Sequence, residues 1–175
     1  MKQRRHFVTG EFQSHTTWLD DTAFGMVLDN VVPFCVDTVI LHQGRVLLGK
    51  RGQEPMRGGW CTFGGKMNPG EDFQKTAQRI LKRELGLTID SNRLEHLNNI
   101  ISVVWNKRAQ VPKNHGCHMA TTIMVLMLVE QELSLLHAAI DHERLEWFEL
   151  HKIAEPKHHP WIVRVAEDIV AHLEG

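Results

Sequence analysis

The sequence predicts an α/β fold, an α/β/α sandwich built on a mixed central β-sheet. Three observations carry this. Short β-rich runs recur at residues 35–41, 45–50, 60–63, 97–105, 121–130 and 145–150. An amphipathic helix interrupts them over residues 71–85, and a second one closes the chain over residues 161–173. Strands divided this way by a central and a terminal helix need both sheet faces covered.

Taken in order, residues 1–20 are polar and aperiodic, a loose or partner-supported arm. Residues 24–32 are apolar and suit a short helix or an edge element, closed by Pro33. The first two β-rich runs meet at His42-Gln43-Gly44, a hairpin signal with glycine in the turn. Pro55, Gly58 and Gly59 make residues 53–59 a loop before the short strand at 60–63. Gly64-Gly65 then opens a loop running through Asn68-Pro69-Gly70. In the helix that follows, Phe73, Ala77, Ile80 and Leu81 form one apolar stripe, and Gly86 stands where a C-terminal glycine belongs. A basic loop around residues 107–118 joins the next two strands, where Met119, Met124 and Met127 read as strand core. Trp161, Val165 and Ile169 give the last helix its apolar face.

A single domain of 175 residues is expected, with a substantial core and no internal repeat or linker. A net charge of −1 supplies no field for a polyanion, so no nucleic-acid partner is expected. Cys35, Cys61 and Cys117 lack CxxC spacing and read as reduced thiols of a cytoplasmic protein. No apolar run follows the basic N-terminus, so no secretory signal is expected, and no stretch is long enough for a membrane span. The histidines are scattered, and most read as solvated or packing residues; His115 and His118 are in a loop that could cover a site.

The stretch GKMNPGEDFQKTAQRILKRELGL, residues 65–87, carries the chemistry. Two glycines after a strand let backbone approach a ligand closely. A helix follows, with Glu71 near its start and Glu84 near its end. Mg²⁺ takes one or two carboxylates plus phosphate oxygens, so Glu84 and a carbonyl begin such a site without completing it. Glu71 and Arg79 read as structural, orienting the loop against the helix. Taken alone, His142 reads as a surface histidine before a strand, and Arg51 and Lys66 as solvated cations.

This stretch resembles the Nudix box. Gly65, Glu71, Arg79, Leu81, Glu84, Gly86 and Leu87 fall in register with it, and Ile80 and Arg83 stand where the family has glutamates. The resemblance implies a Nudix fold and a Mg²⁺-dependent hydrolase, with Mn²⁺ as a substitute. The two departures reduce the helix's carboxylates to Glu84. The GDP-mannose mannosyl hydrolase branch lacks the same two glutamates, and this chain is similar to it at residues 21–24, Pro33, Asp37 and the segment Asp141-His142-Glu143 before Trp147.

That resemblance implies a nucleoside-diphosphate sugar as substrate, attack at the anomeric carbon, and release of sugar and nucleoside diphosphate. Carried over, Glu84, the Gly64 carbonyl and Asp141 hold the metal, with Glu143 the rival to Asp141. His142 is the general base, Arg51 and Lys66 meet the diphosphate, and Asp37 meets the sugar or the base. Gly65, Glu71, Arg79 and Gly86 are structural members of the box. A homodimer is the implied assembly. Two alternatives stay open: a conventional pyrophosphohydrolase cleaving at phosphorus, and a non-catalytic domain that binds a nucleotide or a partner protein.

Overall fold

The computed structural model describes residues 6–97, 99–138, 141–155 and 157–174. Helix α1 (Asp21–Asn30) begins where the Asp20 carboxylate accepts the Ala23 N–H at 2.8 Å. Strands β1 (Phe34–His42) and β2 (Arg45–Arg51) form a hairpin with His42 opposite Arg45. Gln43 and Gly44 both take positive φ, 49° and 73°, the geometry of the expected tight turn.

Strands β3 (Trp60–Cys61) and β4 (Phe63–Lys66) follow, then helix α2 (Phe73–Leu85). Next come β5 (Glu95–His96), β6 (Ile101–Trp105), β7 (Cys117–Met127) and a short turn of helix, α3 (Glu130–Leu133). The chain closes with β8 (His142–Glu149), α4 (Leu150–Ile153) and α5 (Pro160–Glu174).

One mixed sheet runs β3-β2-β1-β7-β5, with β4 on β1, β6 on β7 and β8 on β2. Among the described residues only β1 and β7 pair in parallel. Strand alternation divides the core. Val36, Ile40, Met124 and Leu126 face Ala77, Leu81 and Leu85 of α2. Val39, Leu41, Ile123 and Val125 face Ile162, Val165 and Ile169 of α5. Each such aliphatic side chain contributes roughly 1.5–3 kcal/mol on burial. The result is the expected α/β/α sandwich.

Several boundaries differ from the sequence reading. Helix α2 starts at Phe73, because the Asp72 carboxylate accepts the Lys75 N–H at 2.7 Å and caps it, leaving Glu71 outside. Gly64 and Gly65 belong to β4, paired with Asp37 and Val36, rather than to a loop. Of the described residues in the run at 97–105 only 101–105 are strand, as β6; β5 lies just before the run, and between the two strands the Asn99 side chain is bound to Asp168 at 2.6 Å. Strand β7 begins at Cys117 and β8 at His142, each earlier than expected. Met124 is core, whereas Met127 is 52% exposed and Met119 lines a cleft. Gly86 caps α2 as predicted, at φ 72°, with its N–H on the Lys82 carbonyl and the Leu87 N–H on Leu81.

Residues 6–20 form neither helix nor strand and are all exposed, but they touch the body in places. The Phe12 ring stands 2.7 Å from where a side chain on Gly70 would begin, and residues 16–19 line the same cleft as Met119. Among the described residues no helix is long and apolar enough to cross a membrane.

Candidate active site

The cleft encloses about 630 Å³. Its floor is the end of the sheet where β1, β4 and β7 meet, and its walls come from the α2 end, the residue 51–56 segment, β6 and the N-terminal arm. Of the residues singled out in the sequence, it takes Asp37, Arg51, Gly64, Gly65, Lys66 and Asp141 into its lining, with Arg79. Glu84 and His142 lie just beneath, and Glu71 and Gly86 lie outside it.

The loop after β4 is held by a clasp. Arg79 donates from Nε and Nη2 to the two Glu71 oxygens at 2.6 and 2.7 Å, and from Nη2 to the Lys66 carbonyl at 3.0 Å. Glu71 also accepts the Asn68 N–H and the Thr76 hydroxyl, each at 2.9 Å. Burial would raise the Glu71 carboxyl, but Arg79, Asn68 and Thr76 outweigh it and hold the group down at about 2. Through these contacts the pair ties the loop after β4 to α2.

Asp37 occupies the floor. Thr121 donates to its Oδ2, and Thr62 donates to its Oδ1 at 3.5 Å. Gly64 must be glycine here, because a Cβ at that position would lie 1.7 Å from Asp37 Oδ1. Burial pushes the Asp37 carboxyl up to about 6, against the Thr121 hydrogen bond. Cys35 and Cys61 also line the cleft, but burial pushes both thiols up to about 12, so neither is a ready nucleophile.

Glu84 is 3% exposed. Its Oε1 accepts from Arg83 Nη2 at 2.5 Å, and its Oε2 is 3.2 Å from His142 Nε2. The same Arg83 nitrogen is 3.7 Å from Asp141 Oδ2. Two carboxylates therefore converge on one positive charge. Oxygen donors so gathered, with backbone of β4 alongside, fit a divalent cation. Among the described residues no three His, Cys, Asp or Glu side chains gather to hold a metal. Glu143, the rival to Asp141, turns away to Lys50 at 4.0 Å.

His142 differs most from its expectation. It is neither on the surface nor on the cleft wall: its side chain is 1% exposed, packed edge-on to Phe63 with ring centroids 5.1 Å apart. The reason is its place on β8 opposite Arg51, beside an irregularity between Lys50 and Arg51, which turns the ring inward over Gly49. Arg51 donates to the Gln53 carbonyl at 3.4 Å, and Lys66 stands 5.7 Å from the Phe24 ring; among the described residues neither forms an ion pair.

Sequence reasoning missed three groups. Thr121 could have been found from its alternation with the apolar residues of β7. Val103 and Trp105 of β6 and Trp161 of α5 line the far end of the cleft, and the side chains of a strand edge and a helix start meet there only in three dimensions. His115 is not in the cleft lining; it contacts Asp29 at 3.1 Å, beside the ion pair of fully buried Arg108 with Asp29 at 2.6 Å. His118 meets Ser102 at 2.8 Å.

The NUDIX domain family model matches residues 33–169. The low-salt glycan biosynthesis protein Agl8 of Haloferax volcanii is 38% identical over 74 residues, covering 42% of this chain and 47% of that protein. The oxidized purine nucleoside triphosphate hydrolase of Danio rerio is 40% identical over 62 residues, covering 35% and 38%. The chain thus spans less than half the length of these two relatives. Among solved structures, a MutT NUDIX hydrolase from Burkholderia pseudomallei superposes with a TM-score of 0.63 at 21% identity, covering 80% of this chain and 99% of that one. The NUDIX domain of Shewanella oneidensis NrtR, complexed with ADP ribose, gives 0.58 at 17% identity, covering 85% and 97%. With the family model spanning most of its length, the chain belongs to the Nudix family.

Proposed function

We propose that the chain hydrolyses a nucleoside-diphosphate sugar, of the GDP-mannose type, at the anomeric carbon, releasing sugar and nucleoside diphosphate. The observation that carries this reading is the carboxylate count: Ile80 is wholly buried core, Arg83 is a cation, and Glu84 and Asp141 are left to serve a single cation. Attack at phosphorus draws on several cations around a hydroxide. Attack at an anomeric carbon needs a good leaving group and a centre able to spread positive charge onto its ring oxygen. The glycan-biosynthesis name of the Haloferax relative supports a sugar substrate.

Glu84 and Asp141, with the Gly64 carbonyl, would hold Mg²⁺ or Mn²⁺. The cation supplies charge neutralisation to the departing diphosphate. Arg51 and Lys66 bind that diphosphate from the cleft wall, Arg51 with a planar fork and Lys66 as a point charge. Asp37 on the floor takes the proton of the attacking water, its acidity lying near neutrality as a base requires. His142, expected from the sequence to be that base, is hydrogen-bonded below Glu84 and acts through it as a positioning residue.

A second reading, hydrolysis at phosphorus, is favoured by the triphosphate-hydrolase name of the Danio relative. A panel of nucleotide sugars turned over with Mg²⁺ in ¹⁸O-labelled water separates the two. The label is expected in the free sugar, first released with inverted anomeric configuration. Label in a phosphate group would establish the second reading instead.

Two substitutions test the assigned roles. His142→Gln is expected to lower kcat about 10–100-fold and leave the acid limb of the pH profile in place. A loss of roughly 10²–10⁴-fold together with that limb would make His142 the base itself. Asp37→Asn is expected to remove the limb and, at pH 7, to raise the melting temperature. The sign follows from a folded-state pKa of about 6, above the ordinary 3.8. The ionised carboxylate is then a cost of folding, complete above pH 6 and absent below pH 4. Thermal melts across that window should show the variant's advantage shrinking as pH falls; an equal advantage throughout would contradict the assignment.

A further inference from the structure

We propose that Arg83 is a resident cation of the site, which holds Glu84 and Asp141 together until a divalent cation displaces it, and that the freed guanidinium then grips the substrate's diphosphate. The inference rests on the reading that Glu84 and Asp141 bind a divalent cation.

The geometry comes first. Arg83 Nη2 is 2.5 Å from Glu84 Oε1 and 3.7 Å from Asp141 Oδ2, so one nitrogen serves both carboxylates. Asp141 has no other ion-pairing cation among the described residues, and Glu84 adds only His142. The guanidinium lies against β4, 3.6 Å from where a Cβ on Gly65 would stand.

The electrostatics make guanidinium and metal exclusive. A carboxylate as buried as Glu84 is costly without an opposite charge beside it. Arg83 provides one positive charge for two carboxylates, whereas a divalent cation would neutralise both. At the same Glu84 and Asp141 oxygens a guanidinium and a divalent cation displace one another, because they repel at contact distance.

Release is mechanically open. The Arg83 side chain is 49% exposed, while Glu84's is 4% exposed, so the arginine can move and the glutamate cannot. Arg83 also lines the cleft, on the side where Lys66 and Arg79 stand. Its fork matches two phosphate oxygens at once. Metal and diphosphate would then bind with positive coupling, each favouring the state the other needs. The position where a carboxylate would recruit another metal instead carries a switchable cation.

Calorimetric titration of the nucleotide-free protein with Mn²⁺ tests this. Arg83→Gln should bind Mn²⁺ at least about tenfold more tightly than the unaltered protein, since the competitor is gone. It should also melt at a lower temperature without metal, and gain more from Mn²⁺ than the unaltered protein does. Equal or weaker affinity in Arg83→Gln overturns the proposal while leaving the metal site standing. Binding in neither protein overturns both. Should Arg83→Gln fail to fold, the unaltered protein suffices. In ¹⁵N spectra the Arg83 Nε–H signal, assigned by its loss in Arg83→Lys, should shift in step with Mg²⁺ saturation. A signal that stays put through saturation overturns the proposal.

Discussion

A carboxylate buried at Glu84 cannot stand uncompensated in the interior, and the rest of the site is arranged around that constraint. Its two oxygens are divided between Arg83 on one side and His142 on the other. The first contact ties α2 to Asp141 and the segment before β8. The second ties α2 to the β8 strand itself and, through the ring's packing, to Phe63 and Gly49. Removing either partner alone leaves charge in a low-dielectric place, which is far costlier than any exposed ion pair in this chain.

The scaffold delivers Glu84 to that place by ordinary means. An apolar stripe on α2 docks it on the sheet, Asp72 starts it and Gly86 stops it, so Glu84 falls in the last turn before a fixed end. The Glu71–Arg79 clasp presses the preceding loop against the same helix. Gly64 lets β4 pass within contact of the Asp37 carboxylate. The cleft therefore opens between rigid elements, with cations on its wall and a single raised-pKa acid on its floor.

Much of this was legible in the sequence where the signal was local. The i, i+4 spacing from Phe73 to Ala77, the turn glycine Gly44 and the spacing of Glu71, Arg79 and Gly86 each report on neighbours a few residues away. The less legible parts depend on long-range contacts. A β8 beginning at residue 145 puts His142 in a surface turn; its pairing with Arg51 on β2 makes it part of the sheet, and the register shift between Lys50 and Arg51 turns it inward. Asp37 could be suspected, but its raised pKa comes from burial, opposed by hydrogen bonds from Thr121 and Thr62, and that burial is built from residues far along the chain. Arg83 looked like a lost glutamate; only its contacts reveal a cation seated between two acids. The arm looked loose because it has no periodicity, yet Phe12 and residues 16–19 find surfaces supplied by other elements.

The central claim is that Glu84 is the anchor of a single cation-dependent site. The most direct measurement is Mg²⁺-stimulated turnover of a nucleotide sugar by Glu84→Gln, with the fold followed by circular dichroism. The side chain keeps its shape and can still accept from Arg83, so the variant should fold while losing its response to Mg²⁺. A folded Glu84→Gln protein that keeps most of its Mg²⁺-stimulated turnover would contradict the account.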